Sequence, residues 1–215
     1  MLAHLAMAHN ASPPGVDKAG LRRDMLARRR ALTPEQSRLA GQAVRERLAA
    51  FEPLRAAREV LVYLAFGGEV ETRDLVADLL ERGVRVLAPR CRPGQAGQLD
   101  LACLTCLEEL VPGAYGIPEP DPERCPALGP EAADAAPGAA PDVALIPAVA
   151  FDRRGARLGF GQGYYDRLLA GPGFRDTLLV GLAHPFQLVD FLPQDPWDRP
   201  VHAVVTPQEL LWTSR

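Results

Sequence analysis

Residues 60–65, Val-Leu-Val-Tyr-Leu-Ala, form an unbroken apolar run that ends at Gly67-Gly68. A second run, Val-Arg-Val-Leu-Ala at 84–88, follows and is expected to stop at Pro89. Between them Thr72 is placed to cap a helix that continues through Leu80 and ends at Gly83. An apolar strand, a helix and a second apolar strand with short connections pair in parallel through one right-handed crossover, and a parallel sheet is covered on both faces. The chain is therefore constrained to an α/β fold with a mostly parallel sheet. Further strands are predicted at 142–147, 177–182 and 202–206.

Two helices precede this unit. Asp17 caps the first, from Lys18 to about Ala31, with Leu21, Met25, Leu26 and Leu32 as its apolar side and Arg22, Arg23, Arg28, Arg29 and Arg30 spread over its other faces. Thr33-Pro34-Glu35-Gln36 opens the second as N-cap, proline at the first helical position and capping-box glutamine, and Leu39, Ala43, Leu48 and Phe51 supply its stripe. Residues 112–141 hold eight of the 21 prolines, and 123–141 reads as a long surface loop. No internal repeat is found. Residues 1–16 read as a leader outside the fold, either disordered or the product of an early start codon, and 17–215 as one domain.

Net charge is −3, with 24 basic against 27 acidic residues, which excludes a binder of nucleic acid whose whole surface is basic. No run of 18 apolar residues exists to cross a membrane. Of the 24 basic residues one is lysine, Lys18, in a chain whose shortage of Lys, Asn and Ile points to G/C-rich coding. Either the lysine persists by chance, or a compact ammonium is needed there that a planar guanidinium cannot replace. Four cysteines stand at 91, 103, 106 and 125. Cys103 and Cys106 make a CxxC with no second pair at zinc-ribbon spacing, in a segment that alternates like a strand. Packed free thiols in a reducing cytoplasm are expected.

The segment richest in chemistry is Phe151-Asp-Arg-Arg-Gly-Ala-Arg157-Leu158-Gly159-Phe160-Gly161-Gln162-Gly163-Tyr164-Tyr165-Asp166-Arg167. It follows a buried strand and leads into a helical stretch at 164–169. Three alternating glycines let backbone N–H groups approach an anion, and a helix N-terminus behind them favours phosphate. The lone lysine is followed by alanine, so no Walker A loop is present, and the glycine spacing is not that of the dinucleotide-binding fingerprint. A structural turn remains the competing explanation. Arg157 is a candidate phosphate clamp, and Asp166 and Asp198 are candidate magnesium ligands. Lys18 and Arg22, four apart, share one helix face; they either embrace a polyphosphate or form a solvated basic face.

Taken in order, Lys18-Ala-Gly-Leu-Arg22, Glu69-Val-Glu-Thr72, Gly116-Ile-Pro-Glu119-Pro120 and the Phe151–Arg167 run resemble the 5-formyltetrahydrofolate cyclo-ligase family, over about residues 18–209. The resemblance implies ATP- and magnesium-dependent cyclisation of 5-formyltetrahydrofolate to 5,10-methenyltetrahydrofolate, with release of ADP and phosphate. It also implies a single three-layer α/β/α domain similar to ribose-phosphate isomerases and CoA transferases, and a cytoplasmic protein, expected to be a monomer. ATP would meet Lys18, Arg22, Arg157, Leu158, Gly159, Phe160, Gly161, Gln162, Gly163, Tyr164 and Tyr165, with Lys18 and Arg157 catalytic. Mg2+ would sit at Asp166 and Asp198. The folate would meet Leu64 and Glu69 on one side and Phe160 to Tyr164 on the other.

In that family's chemistry the formyl oxygen is a poor leaving group until it is phosphorylated, after which the other folate nitrogen attacks the activated carbon. Such a transfer needs charge neutralisation and positioning rather than a side-chain nucleophile, in keeping with a sequence that offers no obvious Ser/His/Asp or Cys/His constellation. This chain departs from the pattern at His202, where an acidic residue is common, at Ala148, and in the long Pro/Ala-rich insertion after Glu119. Two rivals stay open on residues alone: another enzyme on a similar scaffold, such as a sugar-phosphate isomerase or acyl-CoA transferase, and an RNA-binding module using the first helix.

Overall fold

The apolar runs pair as the crossover rule demands. The computed structural model describes residues 17–128, 140–195 and 198–214, so the leader and residues 129–139 of the Pro/Ala-rich stretch lie outside the described residues. The helices are α1 (Lys18–Arg30), α2 (Pro34–Ala49), α3 (Glu52–Ala56), α4 (Arg73–Glu81) and α5 (Tyr164–Leu169). The strands are β1 (Glu59–Val62), β2 (Arg85–Cys91), β3 (Leu99–Leu104), β4 (Leu110–Pro112), β5 (Pro118–Pro120), β6 (Ala127–Leu128), β7 (Val143–Ile146), β8 (Ala150–Asp152), β9 (Arg157–Leu158), β10 (Leu178–Leu182), β11 (Leu188–Val189), β12 (Ala203–Val205) and β13 (Leu210–Trp212).

The large sheet runs β13-β12-β10-β7-β1-β2-β3-β6. Its centre, β2-β1-β7-β10-β12, is parallel throughout, whereas β13, β3 and β6 add antiparallel edges. Alternate residues of the central strands serve two cores. Val60, Val62, Val143, Leu145, Val180 and Val205 pack with Val44, Leu48, Leu54, Val76 and Leu79 of α2, α3 and α4. On the opposite face Leu61, Ala144, Ile146, Leu179 and Val204 pack with Phe151, Leu169 and Phe174. This two-sided burial is why β7 is apolar at every position and β1 at every position after Glu59. A third core joins Met25 of α1 to Val149, Ala150, Ala156, Leu158 and Leu192, and so seats α1 against the small sheet β11-β8-β9.

Several local expectations need correction. Pro89 does not stop β2; β1 pairs with it only through Leu87, so one edge is open at Pro89 and a residue without N–H is tolerated. Thr72 is the N-cap of α4 by position, but its hydroxyl donates to Tyr63 O, and Glu71 instead accepts the N–H groups of Thr72 and Arg73. The buried face of α2 is Ala40, Gly41, Val44 and Leu48, while Leu39 is exposed. Gly41 is there because an added Cβ would lie 2.8 Å from that of Glu71. Residues 123–141 are not wholly a surface loop either: Cys125 is buried, and β6 extends the sheet. Finally, Arg29 is not on an outer face of α1 but 1% exposed.

The small sheet explains much of the Phe151–Arg167 run. Asp152 is fully buried and its carboxylate accepts the N–H groups of Arg154, Ala156 and Leu192 while pairing with the Arg154 guanidinium. These bonds close the β8–β9 turn and anchor it to the chain that follows β11. At Gly155, with φ of 85°, an added Cβ would stand 2.2 Å from Val201 O.

Gly181 of β10 lies under the Phe151 ring, and an added Cβ would come within 2.5 Å of that ring. Gly181→Ala is therefore expected to cost about 1–3 kcal/mol through overpacking, read as a lowered urea midpoint with unchanged m-value. An unshifted midpoint would show that the ring is free to move.

Candidate functional site

In chain order the five parallel strands run second, first, third, fourth, fifth, so the direction of winding reverses between β1 and β7. Connections leaving these two strands diverge at their carboxyl ends and leave a crevice, the place where open α/β sheets bind ligands. A cavity of about 560 Å³ opens there. Tyr63, Leu64, Phe66 and Glu69, which follow β1, form one wall; Pro147 after β7 and Pro89 and Cys91 of β2 form the floor; Lys18 and Arg22 of α1 and the stretch Arg157 to Asp166 form the facing wall.

Every candidate residue named from the sequence lines this cavity except Asp198. The register of α1 is responsible for the first pair. Asp17 accepts the Ala19 N–H, the helix starts at Lys18, and the buried Met25 fixes its rotation, which turns Lys18 and Arg22 toward the glycine loop. Arg22 Nε donates to Gly159 O at 2.8 Å. Lys18 Nζ lies 3.0 Å from Asp195 Oδ2. Both members of that pair are partly exposed, so it contributes only about 0–1 kcal/mol.

Arg157 leaves β9 with its side chain almost wholly buried and donates to the Asp166 carboxylate. Its Nε is buried without an acceptor among the described residues. Gly161 and Gly163 have φ of 98° and 69°, a backbone that L side chains resist, and Gly163 sits as the N-cap of α5. Because α5 spans six residues, the positive charge at this wall comes chiefly from Lys18, Arg22 and Arg157 rather than from a helix dipole. Asp198 lies behind: it accepts the Asp195 N–H at 2.9 Å and reaches Lys18 only through Asp195. Among the described residues no three Cys, His, Asp or Glu side chains converge on one point.

The opposite wall carries an unusual carboxyl group. Glu69 is pushed up to about 7, first by burial, against the opposing effect of Arg29 and of the Phe66 N–H. Tyr63 and Tyr165 are also raised by burial, and Tyr63 donates to Val70 O. Sequence reasoning missed Arg29, whose position among four other arginines of α1 concealed it, and Asp195. It also missed Tyr115, which lines the cavity with a left-handed backbone (φ 59°) beside Gly116. Its signal was an aromatic residue directly before the Gly116-Ile-Pro-Glu119 segment. Burial, with Glu119 beside the thiol, pushes the Cys91 thiol up to about 11. At His202, Nδ1 accepts the Leu179 N–H, so the ring ties β12 to β10.

Comparison with known proteins places this geometry in context. A family model described as the 5-formyltetrahydrofolate cyclo-ligase family matches residues 14–207. The 5-formyltetrahydrofolate cyclo-ligase of Escherichia coli K12 is 40% identical over 183 residues, covering 85% of this chain and 96% of that protein. The protein of the same name from Mycolicibacterium smegmatis is 34% identical, covering 89% and 94%. Among solved structures, the 5,10-methenyltetrahydrofolate synthetase of Aquifex aeolicus superposes with a TM-score of 0.74 at 32% identity, covering 91% of this chain and 92% of that one. The synthetase of Mycoplasma pneumoniae superposes at 0.67 and 25% identity, covering 89% and 99%.

The raised carboxyl has a measurable consequence. Glu69 holds its proton to about pH 7 when folded, against an ordinary value of 4.5. The folded state thus binds more protons than the unfolded one between those values, and stability from this group is present below 4.5 and lost as pH rises toward 7. Relative to Glu69→Gln, the wild-type chain is expected to lose stability between about pH 4.5 and 7 and no further above it, by urea midpoints at matched ionic strength. Parallel curves for the two proteins would refute the assignment.

Proposed function

This chain belongs to the 5-formyltetrahydrofolate cyclo-ligase family, and on that premise we propose that it converts 5-formyltetrahydrofolate to 5,10-methenyltetrahydrofolate, consuming ATP in the presence of magnesium. The observation that carries the reading is one cavity whose walls differ in chemistry, with Leu64 and Glu69 facing Lys18, Arg22, Arg157 and the glycine loop.

The donor set suits a triphosphate. Three cations stand at one wall, and the buried Arg157 Nε has no acceptor among the described residues. Magnesium takes one or two carboxylates and completes its shell with phosphate oxygens and water; Asp166 at the wall, with Asp198 behind Asp195, would supply them. When bound, ATP would supply the phosphoryl group and magnesium would neutralise part of its charge. Lys18 and Arg22, four apart on one face of α1, draw the polyphosphate toward the glycine loop, Lys18 releasing Asp195 as it does so. Arg157 holds the charge that develops on the transferring group, and the amides of residues 159–163 fix its direction. Leu64 and Glu69 orient the folate so that its formyl oxygen faces this wall. Once that oxygen carries phosphate, the second folate nitrogen attacks the activated carbon, its proton is released and the C–O bond breaks, so that phosphate departs with the oxygen and no side-chain nucleophile is needed.

The same reading extends to the setting. The three layers resemble those of ribose-phosphate isomerases and CoA transferases, and the thiols of Cys91, Cys103, Cys106 and Cys125, all free, suit a reducing cytoplasm. A monomer is the expected state. No helix among the described residues is long and apolar enough to cross a membrane.

Mixing the protein with 5-formyltetrahydrofolate is expected to produce the methenyltetrahydrofolate absorbance only when both ATP and Mg2+ are present. Product without ATP, or none with it, would sink the proposal. Lys18→Arg is expected to fold normally and to lose about tenfold or more in kcat/KM for ATP, because a fork replaces a point charge. Wild-type kinetics would remove Lys18 from the site.

A further inference from the structure

Arg29 has a setting that the roles above do not use. Its side chain is 1% exposed, yet it is bonded chiefly to backbone rather than to a matched carboxylate. Nη2 donates to Phe66 O at 2.8 Å and to Gly67 O at 2.9 Å, and Nε reaches Gly67 O at 3.2 Å. The next carbonyl is taken by a second buried side chain: His184 Nε2 lies 3.0 Å from Gly68 O. Burial depresses the proton affinity of this imidazole, so the neutral ring with its proton on Nε2, assigned from this bond, is the donor. Three consecutive carbonyls of one turn are thus held by two buried side chains from α1 and from the segment after β10.

Glu69 is the residue that this turn delivers. Its Oε2 accepts the Phe66 N–H at 3.2 Å, and its Oε1 lies 3.4 Å from Arg29 Nη2. Gly67 and Gly68 both have positive φ, and a Cβ on Gly68 would stand 2.9 Å from Arg29 O, so the turn lies directly on the α1 backbone. On its other side the Arg29 guanidinium lies 5.4 Å from the centre of the Phe160 ring. Phe160 is the exposed residue between Gly159 and Gly161 on the facing wall. One buried cation therefore touches both walls of the cavity.

We propose that Arg29 is a positioning residue of the reaction, fixing Glu69 and its turn on the folate wall while seating Phe160 of the glycine loop, so that the two walls are held in register. The role of the walls rests on the function proposed above; the hold on Glu69 does not. A merely structural arginine would stabilise the turn without changing the chemistry of the carboxyl. A positioning one also sets its proton affinity, since the charges and phenols facing Glu69 are Arg29 from α1, Tyr63 just after β1, Tyr165 from α5 and Glu71 from its own segment, with the neutral His184 ring beside them. Arg29 is the cation among these.

The test uses the ligand-free chain labelled with ¹³C at glutamate carboxyls, the Glu69 resonance being identified by its loss in Glu69→Gln. The wild-type resonance is expected to titrate near 7, and Arg29→Met to move it upward by about one unit or more. Arg30→Ala, an exposed change on the same helix, is expected to leave it in place. In the cyclisation assay Arg29→Met is expected to lower kcat/KM for the folate about 10- to 100-fold, as misplacement of a reacting group does. Arg29→Lys, which keeps the charge but not the fork, is expected to restore the titration and only part of the rate. A folded Arg29→Met chain with unmoved Glu69 titration and wild-type kinetics would overturn the proposal. Should that variant not fold, Arg29→Lys decides: a lowered rate with intact titration supports it and wild-type kinetics refutes it. If the wild type shows no cyclisation while the resonance still shifts, the proposed function fails and the hold of Arg29 on Glu69 stands.

Discussion

A parallel sheet buried on both faces must send every connection out at its strand ends, and this constraint governs the whole molecule. Alternating side chains of β1, β7, β10 and β12 fill two separate cores, so no functional group can be placed on either face without leaving a buried polar atom. The chemistry is displaced to the carboxyl edge, and within that edge to the reversal between β1 and β7. Three polar residues buried near this edge, Asp152, Arg29 and His184, are spent on holding loops rather than on exposure to a ligand. Asp152 and Arg29 each satisfy more than one backbone group, and His184 the Gly68 carbonyl, that the loops would otherwise leave unpaired.

The electrostatic arrangement follows the same logic. Each cation important to the site rests on an acceptor within the protein: Lys18 on Asp195, Arg22 on Gly159 O, Arg157 on Asp166, and Arg29 on the Phe66–Gly67 carbonyls with Glu69 close by. The pairs differ in exposure, and exposure decides what each can do. Lys18 and Asp195 meet in a screened environment and separate at little cost, which suits a group that must exchange partners. Arg29 is dry, and freeing it would leave carbonyls and a charge uncompensated, which suits a group that holds its place.

Much of this was legible in residue order, and where it was not the reasons are physical. The βαβ unit, the Asp17 and Thr33 caps and the glycine run are local patterns, and each appears at its expected place. Pro89 inside β2 was hidden because only the neighbouring strand's length reveals an open edge. The short strands β8, β9 and β11 carry no periodicity of their own and exist because a buried Asp152 ties them together. Arg29 stood unnoticed among arginines because sequence spacing separates helix faces but does not say which face a loop from elsewhere will cover. The family resemblance rested on ordered motifs, and the match over residues 14–207 agrees with it.

The sequence by itself determined the parallel α/β scaffold and the glycine cradle after a buried strand, because hydrophobic periodicity, caps and glycine freedom act over a few neighbouring residues. The tertiary structure alone decided that Lys18 and Arg22 face that cradle across most of the chain's length, that Asp198 stands behind Asp195, and that Glu69 lies in a dry pocket beside Arg29. Such placements depend on desolvation and on contacts between distant segments, which only the packed chain brings about.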